Sequence, residues 1–251
     1  MCLLAGVLIH TLPGRDLLFW SLFAPLIPQA LRVRKTALRF RPAAGQSTGE
    51  VGQAGTTIRL LAIGDSIIAG VGARALRHAL VGQTAEYLAQ AARARVAWTA
   101  CGRIGATSRQ IEQRLLPQVE DDSFDAILVS TGVNDVISLH GLERWRNDAE
   151  ALLDALSVRW PEAVISFSGL PPMQHFPALP QPLRAVFGLR ARQFDQELRR
   201  LLEHYPQASH VPLDFEALPG SFSGDGFHPS ERSYAEFGAM AGKSIRSKIF
   251  D

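Results

Sequence analysis

The sequence predicts an α/β fold, a three-layer α/β/α sandwich around a central parallel sheet of about five strands. From residue 57 onward, short apolar runs alternate with longer stretches of helical periodicity. Strands joined through helices call for right-handed crossovers and hence parallel pairing. The run Ala126-Ile127-Leu128-Val129-Ser130 is apolar almost throughout, as expected of a strand covered on both faces.

In chain order, residues 58–63 form the first strand, stopped by Gly64. Residues 74–93 carry an apolar stripe that includes Leu76, Leu80 and Leu88, and are expected to be a helix. Residues 95–100 are the second strand, and residues 108–116 a short helix ended by Pro117. Residues 126–130 are the third strand. Residues 143–158 are a helix with Trp145, Leu152 and Leu156 on its inner side. Residues 163–168 form the fourth strand, 190–204 a helix, 209–213 a weaker fifth strand and 230–249 the closing helix.

These elements place a folded domain at 57–251. Residues 42–56, rich in Gly, Ala, Ser and Thr, read as a linker. Residues 1–41 are different again. Met1 to Leu12 is apolar apart from His10 and Thr11, and residues 17–31 are apolar with Pro25 and Pro28 inside. Neither run reaches the roughly 20 residues of a spanning helix. The start is uncharged and no convincing cleavage site for a signal peptide follows. Arg32, Arg34, Lys35, Arg39 and Arg41 come next with no acid among them. Three readings are open: a membrane-interface segment, a short anchor, or packing on the domain's own surface. The expectation is a cytoplasmic protein that touches a membrane surface through residues 1–41.

Hydrophobic content of 47% and charged content of 20% are ordinary for a globular chain. A net charge of +2 gives no field that argues for nucleic acid, so none is expected as a partner. Cys2 and Cys101 are too few for a disulfide framework.

In a parallel sheet, ligands bind beyond the carboxyl ends of the strands. Those ends carry Gly64-Asp65-Ser66, then Gly102 to Ser108 around Gly105, then Gly132-Val133-Asn134-Asp135. Asp225-Gly226-Phe227-His228-Pro229 precedes the last helix. These segments, in this order, resemble the conserved blocks of the SGNH (GDSL-type) hydrolases. The resemblance covers about residues 57–250. It implies a flavodoxin-like SGNH fold and an esterase, lipase or lysophospholipase-like activity on a small-molecule ester, with no cofactor and no metal.

The residues carry the same chemistry when taken by themselves. Ester hydrolysis needs a nucleophile, a base and oxyanion donors. Ser66 offers the hydroxyl, and His228, with an imidazole that titrates near neutrality, offers the base. Asp225 could hold the other ring N–H. The Ser66 N–H, the Gly105 N–H and the Asn134 amide are candidate oxyanion donors. On local pattern alone, Asp65 and Ser66 also suit a helix N-cap. Asp65 and Asp135 are expected to brace their loops. Asp225 and His228 do not make a metal site, lacking a third ligand nearby. The loop at 169–184 carries five prolines. Its Met173, His175 and Phe176 are candidate substrate-binding residues, with Leu179 beside them. Two other functions compete with this reading. Gly70-Val71-Gly72 and Ala75 fit the glycine pattern of a dinucleotide-binding turn, but lie too far past the first strand. A non-catalytic binding protein of the same fold is the other.

Overall fold

The computed structural model describes residues 14–36, 41–53, 55–120, 123–213 and 218–250. The apolar run at 1–12, with Cys2 and His10, and the basic Arg39 lie outside these residues. In chain order the elements are α1 (Gly14–Phe23), α2 (Ile27–Thr36), β1 (Thr48–Val51), β2 (Thr57–Gly64), α3 (Leu80–Ala92) and β3 (Arg95–Gly102). There follow α4 (Ser108–Gln110), β4 (Ala126–Ser130), α5 (Val133–Ile137), α6 (Leu142–Arg159), β5 (Val164–Ser168), α7 (Leu183–Leu202), β6 (Ala208–Val211) and α8 (Glu231–Phe250).

Alternation along the strands divides the core in two. Leu60 and Ala62 of β2 and Leu128 of β4 face one side, where Leu80, Leu88 and Phe237 from α3 and α8 cover them. Leu61, Ile63, Ile127 and Val129 face the other, against Trp145, Leu152 and Leu156 of α6 and Phe194 of α7. Successive strand residues point to opposite faces, so two covered faces demand the continuous apolar run seen in β4.

The sheet has six strands in the order β1-β3-β2-β4-β5-β6. Strands β2 to β6 pair in parallel, while β1 pairs antiparallel with β3. The sheet is therefore mixed, and its edge strand lies inside 42–56, the stretch expected to be a linker. Its residues are alternately exposed and half-buried, so no apolar run marks it. The helix expected at 74–93 begins only at Leu80, after a 3-10 turn at Leu76–His78. The helix expected at 108–116 is one α turn, then a π turn (Ile111–Leu115), then a 3-10 turn that contains Pro117. α7 starts directly behind Pro182, earlier than its periodicity suggests.

Of the three readings of the N-terminal segment, packing on the domain is what its described part does. Phe19 and Phe23 of α1 are buried. The Arg190 guanidinium of α7, itself inaccessible, lies 4.6 Å from the Phe19 ring centre and 5.1 Å from that of Phe194. Its Nη2 is 2.5 Å from Asp16 Oδ1, and Asp16 also accepts the Leu142 N–H at 3.2 Å. α2 has no buried residue. It is held by Gln29, whose amide donates to the Gln181 carbonyl at 2.8 Å and accepts the Leu183 N–H at 3.2 Å. Among the described residues no helix is long and apolar enough to cross a membrane.

A buried cation that loses its partner keeps its desolvation cost. Asp16→Ala is expected to lower unfolding free energy by about 3 kcal/mol, read from urea denaturation. A loss well below 1 kcal/mol would mean that α1 is not docked through this pair.

Candidate active site

Gly64 ends β2 where the neighbouring strand leaves no room, since a Cβ there would lie 2.2 Å from the Ser130 carbonyl oxygen. The chain then turns. Asp65 donates its N–H to that same carbonyl at 3.1 Å. Its carboxylate accepts the Ile67 N–H at 3.0 Å and the Ser130 hydroxyl at 3.3 Å. The Tyr234 hydroxyl of α8 donates to the Val71 carbonyl at 2.6 Å and pins the far end of the turn. Ser66 thus stands on a braced turn at the sheet edge, and α3 begins well beyond it. The helix-cap reading of Asp65 and Ser66 fails for that reason. The dinucleotide reading fails with it, because Gly70 and Gly72 sit in turns against Ala79 and Pro229 instead of opening a helix.

His228 Nε2 lies 3.0 Å from Ser66 Oγ, and His228 Nδ1 lies 2.7 Å from Asp225 Oδ2. The other Asp225 oxygen accepts the backbone N–H groups of Phe227 and His228, at 2.7 and 2.8 Å. One carboxylate therefore shapes the loop and aims the ring. Burial pushes the Asp225 carboxyl up, but the hydrogen bonds from His228 and the two amides outweigh it, leaving the group at about 2. Asp65 goes the other way. Burial raises it to about 6, against the opposing Ile67 N–H bond and the attraction of His228.

The loops after β3 and β4 close on the same turn. Arg103 donates its N–H to the Gly64 carbonyl at 3.1 Å. Gly105 follows at φ +77°, a left-handed backbone that suits glycine, with open space where a side chain would project. Asn134 Nδ2 donates to the Ala106 carbonyl at 3.0 Å, and lies 3.5 Å from Asp65. Among the described residues, the Ser66 and Gly105 N–H groups donate to no other group. Asp135 ties the two loops together by accepting the Ser108 N–H and hydroxyl, each at 3.1 Å.

The three candidate substrate residues separate. Phe176 lines a small cavity of about 40 Å³ beside Ser66, with Phe222 and Phe227. Met173 is wholly buried in the core and His175 is exposed, and neither lines a cavity at the site. A second, much larger cleft of about 670 Å³ reaches His228 and Asp225. Its walls come from α1, α2, the segment after α5, the 178–179 loop and the start of α7. The α2 wall was missed from sequence, because the same apolar residues suggested a membrane. Sequence reading also missed two histidine–carboxylate pairs, His140–Asp135 at 3.0 Å and His210–Asp195 at 2.7 Å. Asp135, His140 and Asp148 bring ligand atoms within 4.8 Å of one another. Those atoms already serve each other, Ser108, Arg109 and Arg144. Two guanidinium groups at a carboxylate disfavour a cation there.

The sequence profile of the GDSL-like Lipase/Acylhydrolase family matches residues 62–236. No curated protein matches the chain. Among solved structures, the lipase/acylhydrolase from Enterococcus faecalis is similar at 18% identity and a TM-score of 0.59, over 76% of this chain and 96% of that one. The psychrotrophic esterase EstA from Pseudoalteromonas sp. is similar at 16% identity and a TM-score of 0.57, over 77% and 99%. The lipase Lip_vut3 from a goat rumen metagenome is similar at 19% and 0.59, over 76% and 97%. At such identities the likeness is one of fold.

Because the folded state holds the Asp65 proton more tightly than the unfolded chain, this group's contribution to stability is complete below its ordinary value of 3.8 and lost as pH rises through about 6. That contribution is about 3 kcal/mol. Asp65→Asn is expected to flatten this segment of a stability-versus-pH curve measured by chemical denaturation. A variant curve parallel to wild type across pH 4–6 would place the titration elsewhere.

Proposed function

The chain belongs to the GDSL-like lipase/acylhydrolase family and is a hydrolase of ester bonds, and within that class we propose that Ser66, His228 and Asp225 act as a triad on carboxylic esters of acyl or acetyl type. One observation carries the proposal: a single imidazole lies between the Ser66 hydroxyl at 3.0 Å and the Asp225 carboxylate at 2.7 Å. His228 Nε2 takes the hydroxyl proton as Ser66 Oγ bonds to the carbonyl carbon. Asp225, ionised at any pH above about 2, keeps the Nδ1–H tautomer and steadies the imidazolium. The Ser66 and Gly105 N–H groups receive the oxyanion together with the Asn134 amide, which exchanges its long 3.5 Å bond to Asp65 for it. Collapse breaks the ester C–O bond, and His228 returns its proton to the leaving alcohol. Water then repeats the sequence on the acyl-enzyme, releases the acid and restores Ser66.

The same proposal covers contact with a membrane surface through residues 1–41. Leu17, Leu18 and Leu22 of α1 are 61%, 48% and 42% exposed, and Arg32, Arg34 and Lys35 of α2 are exposed as well.

Ser66→Ala is expected to cut kcat on a p-nitrophenyl ester by about 10⁴-fold or more. Asp225→Asn is expected to cost about 10³–10⁴-fold and Asn134→Ala about 10²–10³-fold. Wild-type turnover in the Ser66→Ala protein would overturn Ser66 as the nucleophile, whereas absence of turnover in the wild-type protein would leave a binding protein of this fold as the better reading. For the membrane contact, the full chain should sediment with anionic vesicles more than with neutral ones; an identical supernatant fraction with and without vesicles would remove it.

A further inference from the structure

Resting on the triad assignment above, we propose that α2 is the outer wall of a substrate site and that the cleft beneath it takes a long aliphatic chain of the ester. The cleft encloses about 670 Å³, within the usual range of about 300–1,000 Å³ for a small-molecule site. Ile27, Ala30 and Leu31 of α2 line it together with Leu179, Phe187 and His228.

Three observations converge on a chain-like occupant. The lining is dominated by aliphatic and aromatic groups, so a flexible hydrocarbon gains by entering and a polar ligand does not. The cleft reaches His228 and Asp225, and His228 and Phe227 also line the small cavity that holds Ser66, so a chain lying in the cleft has its ester end beside the triad. α2 itself buries no residue, although Ile27 and Leu31 are large and apolar, 44% and 52% exposed. A helix that packed for stability alone would close down on its neighbours. This one is held off the domain at fixed points, the Gln29 clamp on Gln181 and Leu183 and the Asp16–Arg190 pair at the root of α1. The space under it is left for a ligand. The wall lies wholly upstream of residues 62–236, so it is an addition of this chain to the matched hydrolase region.

The aliphatic chain could belong to the acyl or to the alcohol side of the ester, because His228 touches both during turnover. Two series with the full-length protein separate these sources: p-nitrophenyl acyl esters from C2 to C16, and n-alkyl acetates over the same lengths, each below its critical micelle concentration. The expected result is a kcat/KM that climbs by about fourfold per methylene in one series until the cleft is full. Ala30→Trp, which fills the cleft, and Leu31→Arg, which charges its wall, should each lower the C12-to-C2 ratio of kcat/KM at least tenfold, with the thermal melt unchanged. Hydrolysis that peaks at C2–C4 in both series overturns the proposal, as does a wild-type chain-length profile in both variants. No hydrolysis at any length overturns the ester-hydrolase triad itself, and this proposal with it.

Discussion

Parallel register between β2 and its two neighbours is the constraint on which the site depends. Gly64 pairs with Gly102 on one side and with Ser130 on the other. Three loops therefore leave the sheet at one level, and each needs only a few residues to reach its neighbours. A slip of one residue would exchange the two faces of β2, putting Leu61 and Ile63 where Leu60 and Ala62 now pack. The apolar packing that stabilises the sheet thus also fixes the position of Ser66, and no separate scaffold for the nucleophile is required.

Buried carboxylates then turn a meeting of loops into a fixed geometry. Asp65, Asp135 and Asp225 each satisfy backbone N–H groups that would otherwise be orphaned at the sheet edge. They differ in what else they hold. Asp225 faces the imidazole and stays ionised far below neutrality. Asp65 is so deeply buried that its proton is held into the mildly acidic range. Asp135 binds the β3 and β4 loops through Ser108. Asp65 stands directly before the nucleophile and Asp225 three residues before the base, yet burial and partners shift the two carboxyls in opposite directions.

Much of this was legible in the sequence because it follows from short-range pattern. The strands at 58–63 and 126–130 declare themselves by apolar runs, and the polar residues just past the strands mark the edge where Ser66, Asn134 and His228 meet. What failed to show has a common physical cause. β1 is a half-exposed edge, so burial leaves no imprint on its residue types. The π turn at Ile111–Leu115 and the late start of α3 depend on tertiary contacts that no local pattern encodes. Met173 and His175 share a loop with Phe176 but not its direction, since one points into the core and the other to solvent. The apolar residues of α1 and α2 were visible, but hydrophobicity alone does not distinguish lipid, protein core and ligand as the thing being covered.

Docking of α1 through Asp16 and Arg190 has a consequence for how the chain is made. Asp16 and its aromatic companions Phe19 and Phe23 leave the ribosome long before α7 exists to receive them. Until Arg190 and Phe194 are synthesised, that apolar stretch lacks its main native partners and is open to chaperones, membranes or other nascent chains. The outer wall of the cleft is thus translated well before the elements that hold it in place.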